Sequence, residues 1–149
     1  MRYFEDIEVG TTREFGEYHV TREEIVEFAK QYDPQPFHLD AAAAAESAFG
    51  ELVASGWHTA SISMRMLVEN YLTENAGMGG RGVDELRWQR PVTPGDTLSL
   101  RTEVVDKRPS ETDPRRGNVD TYIEVLNQDD EVVLSYTVTG MIERRTPGK

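Results

Sequence analysis

The sequence predicts an α+β domain in which one long buried helix packs against an antiparallel sheet of four or five strands. Two observations carry this. The first half of the chain has helical periodicity and closes on a long apolar segment from Trp57 to about Asn75. The second half alternates at period two, through Leu98, Leu100, Thr102 and Val104, then Val119, Thr121, Ile123 and Val125, then Val132, Leu134, Tyr136 and Val138. A sheet that buries one face against a single helix makes a two-layer arrangement. Its uncovered edges favour oligomers.

Residues 1–19 read as an irregular start and then a short strand around Thr11–His19. Thr21 and Glu24 form a capping box, with Val20 and Ile25 at the hydrophobic-staple positions. Ile25, Phe28, Ala29 and Tyr32 then share one helix face, and Pro34 ends the helix, leaving Asp33 at its C-terminal edge. Two prolines make Tyr32–Asp40 a stiff, extended loop, because proline fixes φ and keeps its predecessor out of the α region. Asp40 caps a short helix through Ala41–Phe49, stopped by Gly50. The helix from Trp57 to about Asn75 is roughly 28 Å long at ~1.5 Å per residue. Its apolar residues do not keep to one stripe, which predicts burial on several sides.

Gly77–Gly82 has four glycines in six positions and reads as a flexible turn before a strand at Val83–Pro91. Thr93-Pro94-Gly95-Asp96 is a type II turn, and Asn127–Asp130 a hairpin turn. Arg108–Gly117 is a charged surface loop.

At 149 residues, with no repeat or linker, the chain reads as a single domain over 1–149 with a core of its own. It has no cysteine, so disulfides and thiolate chemistry are excluded. The longest apolar run falls short of a membrane span and the N-terminus lacks a signal pattern, so a soluble cytoplasmic protein is expected. A balance of 27 acidic to 16 basic residues gives −11, which disfavours nucleic acid and anionic membrane as partners.

Asp33 and His38 place a carboxylate and an imidazole five positions apart on one rigid piece of backbone. Acid–base groups act only when held within hydrogen-bond reach of the reacting atoms. Taken singly, each has an ordinary reading: Asp33 as a turn residue before proline, His38 as a structural histidine. Their pairing carries the functional reading. Asp40 reads as an N-cap. No metal site is expected, since a His-x-x-x-His pattern and cysteines are both missing. The glycines at 77–82 lack the Gly-Lys-Ser/Thr ending of a phosphate loop, and there is no Gly-x-Ser-x-Gly elbow.

Asp33-x-Gln35-Pro36-x-His38-x-Asp40, followed by Ser55-Gly56 at the start of a long helix, resembles the MaoC-like dehydratase family, the (R)-specific enoyl-CoA hydratases. The likeness runs in order through Gly95-Asp96 to the last strand. It implies the hot dog fold, a sheet wrapped around one long helix. It also implies an acyl-CoA thioester substrate, syn hydration of a trans-2-enoyl group, no cofactor, a place in fatty acid metabolism, and a homodimer or higher homo-oligomer. By position, Asp33 and His38 hold a water and exchange its protons with the substrate, and the Gly56 N–H binds the thioester oxygen. The physics of a helix start agrees: its N–H groups are unpaired and carry partial positive charge, suited to a developing enolate, and glycine admits close approach.

At the same helix start, Ser55 and Trp57 are candidates for substrate binding. Ser55 serves equally as an N-cap, and Trp57, opening a buried helix, reads first as core; His58 reads first as a packed or hydrogen-bonded histidine, and otherwise as a group that contacts substrate or supports the loop. The sequence departs from the family at Gln35, where asparagine is usual, and at Met64, where some hydratases carry serine. The CoA phosphates would meet Arg81, Arg87, Arg90, Lys107-Arg108 or Arg115-Arg116, each of which also reads as solvated surface. Two other readings stand beside hydration: a hot dog acyl-CoA thioesterase, and a non-catalytic acyl-CoA-binding subunit.

Overall fold

The capping box at Thr21 forms in the computed structural model, which describes residues 1–148. The Thr21 hydroxyl accepts from the Glu24 N–H at 3.2 Å, and the Glu24 carboxylate accepts from the Thr21 N–H at 2.9 Å. This starts α1 (Arg22–Tyr32), which follows strand β1 (Thr12–His19) and delivers Asp33 as its C-cap, as its punctuation requires. Two short helices come next, α2 (Pro36–Leu39) and α3 (Ala41–Ala45), and then the long α4 (Gly56–Asn70). The rest is sheet: β2 (Gly77–Trp88), β3 (Thr97–Pro109), β4 (Arg116–Leu126) and β5 (Val132–Glu143).

The strands lie in the order β1-β3-β4-β5-β2, every neighbouring pair antiparallel. Leu98, Leu100, Ile123, Val125 and Leu134 turn inward to meet Ile62, Met66 and Leu67 of α4. Each such side chain contributes roughly 1.5–3 kcal/mol relative to exposure, so contact between sheet and helix holds the domain together. This is the hot dog arrangement. A second, smaller core of Phe4, Ile7, Val104, Val119 and Ile142 closes the far end of the strands. The turn at Thr93–Asp96 forms as expected, with Gly95 at φ +93° and the Asp96 N–H donating to the Thr93 carbonyl at 3.1 Å.

The structure corrects six expectations. The loop after α1 is extended only through Gln35. From Pro36 it makes one helical turn, because proline at the first helical position lacks only an N–H that would be unpaired anyway. The alanine helix stops at Ala45 rather than Phe49: the Ser47 hydroxyl donates to the Ala44 carbonyl at 2.6 Å and accepts from the Phe49 N–H at 3.2 Å, turning the chain early. The long helix ends at Asn70. Tyr71 leaves helical geometry at φ −136° and ψ −57° and stacks on Phe15, and a single 3₁₀ turn follows at Leu72–Glu74.

Nor is that helix buried on several sides within this chain: His58, Thr59, Ile62, Ser63, Met66 and Leu67 form one buried stripe. Trp57, Met64 and Val68 point outward, the first 59% exposed. Finally, Gly77–Gly82 is the first half of β2 rather than a free turn, and that strand stops at Trp88 rather than Pro91. As the sheet's edge, β2 tolerates glycine and carries register shifts against β5.

Candidate active site

Three segments meet at one end of the sheet. The first is the C-terminus of α1 with α2, which carries Asp33 and His38. The second is Val53–Gly56, which leads into α4. The third is Trp88–Val92, leaving β2. They enclose a cleft of about 500 Å³ whose wall includes Asp33, His38, Phe37, Phe49, Trp57 and Trp88.

His38 is held from both sides. Its ring lies edge-on to Phe37 at 4.5 Å, and Nδ1 sits 2.7 Å from the carbonyl oxygen of Val53. A carbonyl only accepts, so Nδ1 carries a proton and donates it. Nε2 is left as the nitrogen that gains or loses a proton, and it lies 3.3 Å from Asp33 Oδ2. The two side chains are only 7% and 18% exposed. The other Asp33 oxygen, Oδ1, accepts from the Gln35 amide at 2.7 Å, so this longer residue reaches back onto the carboxylate. Burial pushes the Asp33 carboxyl up. The Gln35 amide, the Ser55 hydroxyl and the His38 charge together outweigh this and hold it below the ordinary carboxylate value.

α4 begins at Gly56, and neither the Gly56 nor the Trp57 N–H has a hydrogen-bond partner among the described residues. Two N–H groups at a helix start, beside an acid–base pair, are what an oxyanion requires. Glycine at this position has a more local cause than substrate approach. A Cβ on Gly56 would overlap the indole of Trp88, which also packs edge-on to Trp57 at 5.2 Å. Trp88 therefore covers the helix start from the sheet side.

The remaining sequence candidates sort clearly. Trp57 lines the cleft and is not core. Ser55 is fully buried and does not line the cleft, and its hydroxyl caps no helix N–H. Asp40 accepts from the Ala42 N–H at 3.2 Å, an N-cap as expected. His58 is packed, stacked on Phe28 at 4.8 Å with Nδ1 unpartnered, and burial lowers its pKa against the opposing pull of Glu24.

Of the basic residues considered for CoA, Arg90 lines the cleft but pairs with Glu131 at 3.0 Å. Lys107, Arg108, Arg115 and Arg116 lie at the other end of the strands, where Arg108 and Arg115 are engaged by Asp120 and Asp113. Trp88, Phe49 and Thr59 were not singled out in the sequence, and the first two are aromatic residues whose place depends on the tertiary fold.

The fold is the hot dog, with an Asp33–His38 pair in its cleft. Residues 6–126 match the MaoC like domain, and the chain belongs to the MaoC-like dehydratase family. Among solved structures, the MaoC-like dehydratase from Rhodospirillum rubrum is 41% identical with a TM-score of 0.90, covering 98% of this chain and 99% of that one. The (R)-hydratase PhaJ1 from Pseudomonas aeruginosa has a TM-score of 0.77 at 28% identity, covering 96% of this chain and 86% of that one. The 3-hydroxybutyryl-CoA dehydratase of Methylorubrum extorquens is 33% identical over 109 residues, 72% of this chain and 66% of that protein.

Packing at the helix start is directly testable. Gly56→Ala is expected to lower stability by about 1–3 kcal/mol through the clash with Trp88. Adding Trp88→Leu to it should recover part of the loss, read as urea midpoints. Equal midpoints for Gly56→Ala and wild type would show that Trp88 does not impose the glycine.

Proposed function

We propose that this chain catalyses the reversible hydration of an enoyl-CoA thioester, using Asp33 and His38 as an acid–base pair and the Gly56 N–H as the oxyanion donor. The observation that carries the reading is the Asp33–His38 pair, 3.3 Å apart on the wall of a cleft also lined by Gly56 and Trp57, whose N–H groups have no partner among the described residues.

The chemistry follows from the geometry. Asp33, held ionised below the ordinary carboxylate range, accepts a proton from the water that adds to the β-carbon. Electrons move through the conjugated system onto the thioester oxygen, where the Gly56 N–H and the helix dipole stabilise the enolate. His38, protonated at Nε2, delivers a proton to the α-carbon. Transfer of the water proton from Asp33 Oδ2 to His38 Nε2 then restores the pair. Dehydration is the same path reversed. Both groups act from one side of the cleft, which supports addition of hydrogen and hydroxyl to the same face.

Phe37, Phe49, Trp57 and Trp88 are the apolar surfaces available to the acyl chain. In this reading the chain works in the cytoplasm as a homodimer or higher homo-oligomer. The unpaired edge of β2 and the outward apolar residues Trp57, Met64, Val68 and Val83 support self-association.

With crotonyl-CoA, loss of the conjugated enoyl-thioester absorbance is expected for wild type. Asp33→Asn and His38→Gln should each lose on the order of a hundredfold or more while staying folded. An active wild type matched by either variant would remove that residue from the mechanism. Sedimentation should give at least twice the chain mass; a monomer would refute the assembly.

A further inference from the structure

Trp88 ends β2 with its indole laid against the start of α4. A Cβ on Gly56 would stand 2.5 Å from Nε1 and 2.7 Å from Cδ2, with Cε2 between them nearer still. Three consecutive ring atoms so nearly equidistant place that point over the face of the ring, above Cε2. The indole is therefore face-on to Gly56. Its Nε1–H lies in the ring plane, so it runs alongside the helix start and not into it. No side-chain or backbone acceptor takes this N–H among the described residues, and Trp88 lines the cleft.

The same contact fixes how far this donor stands from its neighbour, the unpaired Gly56 N–H. A backbone nitrogen lies ~2.5 Å from the Cβ position of its own residue, which puts Trp88 Nε1 within about 5 Å of the Gly56 nitrogen. One oxygen accepting at ~2.9 Å from each of two N–H groups reaches both when they stand up to roughly 5.8 Å apart. We infer that Trp88 is a further catalytic residue: its Nε1–H donates, beside the Gly56 N–H, to the thioester oxygen on which the enolate forms. This rests on the hydration proposed above.

A leucine or a phenylalanine would also cover Gly56. Tryptophan adds a donor, and the fold holds that donor still. Trp57 packs edge-on against the ring, at 5.2 Å and 82°. The Trp88 backbone pairs with Leu134, and the next N–H, that of Gln89, donates to the Val133 carbonyl at 2.9 Å. Donors fixed in advance where negative charge develops stabilise a transition state without reorganising. The indole is a neutral donor that does not titrate alongside Asp33 and His38. Its loss therefore lowers the rate without altering the shape of the pH profile.

The test removes the N–H without changing the shape of the ring. β-(3-Benzothienyl)alanine, with sulfur where the N–H stands, replaces Trp88 alone, and Trp88→Phe is made beside it. With crotonyl-CoA the sulfur variant is expected to lose roughly ten- to a hundredfold in kcat, with KM little changed, the pH profile unaltered in shape and the melting temperature equal to wild type. Trp88→Phe should lose at least as much. A sulfur variant as fast as wild type overturns the inference. A second measurement needs no turnover. The chain has two tryptophans, so a ¹⁵N spectrum holds two indole N–H signals, which Trp88→Phe assigns. Saturation with butyryl-CoA, a thioester with no double bond to hydrate, should move the Trp88 Nε1–H signal downfield; a signal that stays in place overturns the inference. A wild type inactive on crotonyl-CoA would count against the proposed hydration, and the butyryl-CoA spectrum would then decide the role of the indole by itself.

Discussion

The hydrogen bond from His38 Nδ1 to the Val53 carbonyl is the constraint on which the site depends. It joins the turn after α1 to the segment before α4, and the Val53 N–H returns a second bond to the Phe37 carbonyl at 3.3 Å. The next residue, Ala54, is tied to Val92 at 2.8 Å, which links the same segment to the chain leaving β2. All three walls of the cleft are thereby joined by backbone. The same bond sets the histidine's tautomer, since the proton on Nδ1 is committed to a carbonyl and only Nε2 can exchange. One contact thus determines both where the imidazole sits and which nitrogen faces Asp33.

Electrostatics at the site are local. The chain carries −11 overall, a poor field for any anionic ligand. The favourable features are short-ranged: an amide and a hydroxyl beside Asp33, and a helix start aimed into the cleft. Asp33 and His58 also share a consequence for stability. The folded state holds the Asp33 carboxyl below its ordinary 3.8 and His58 below 6.5. In both cases the unfolded chain binds the proton first, so stability falls on acidification: below about pH 6.5 through His58, and below about 3.8 through Asp33.

Features governed by near neighbours in the chain were legible in the sequence. The capping box at Thr21, the delivery of Asp33 at a helix end, the Asp40 cap and the Thr93–Asp96 turn all depend on residues within a few positions, and all form. The inward alternation of β3 and β4 was equally plain, because period two is a local signal. What the sequence did not reveal depends on distant partners. Gly56 is glycine because Trp88, far along the chain, lies against it. Ser55 looked like a cap because a serine before a helix usually is one, and only the fold shows its hydroxyl uncommitted. The glycines of β2 read as a turn because edge strands need little from their side chains. The outward face of α4 looked buried because apolar residues awaiting a partner surface cannot be told from core by composition alone.

The central claim is that one acid–base pair, on one side of the cleft, moves both protons of hydration. Turnover of crotonyl-CoA in D₂O tests it most directly, with the 3-hydroxyacyl product examined by NMR. The expected product carries one deuterium on the α-carbon in a single diastereomer, with deuterium and hydroxyl added to the same face. A mixture of diastereomers, addition to opposite faces, or an α-carbon without deuterium would contradict it.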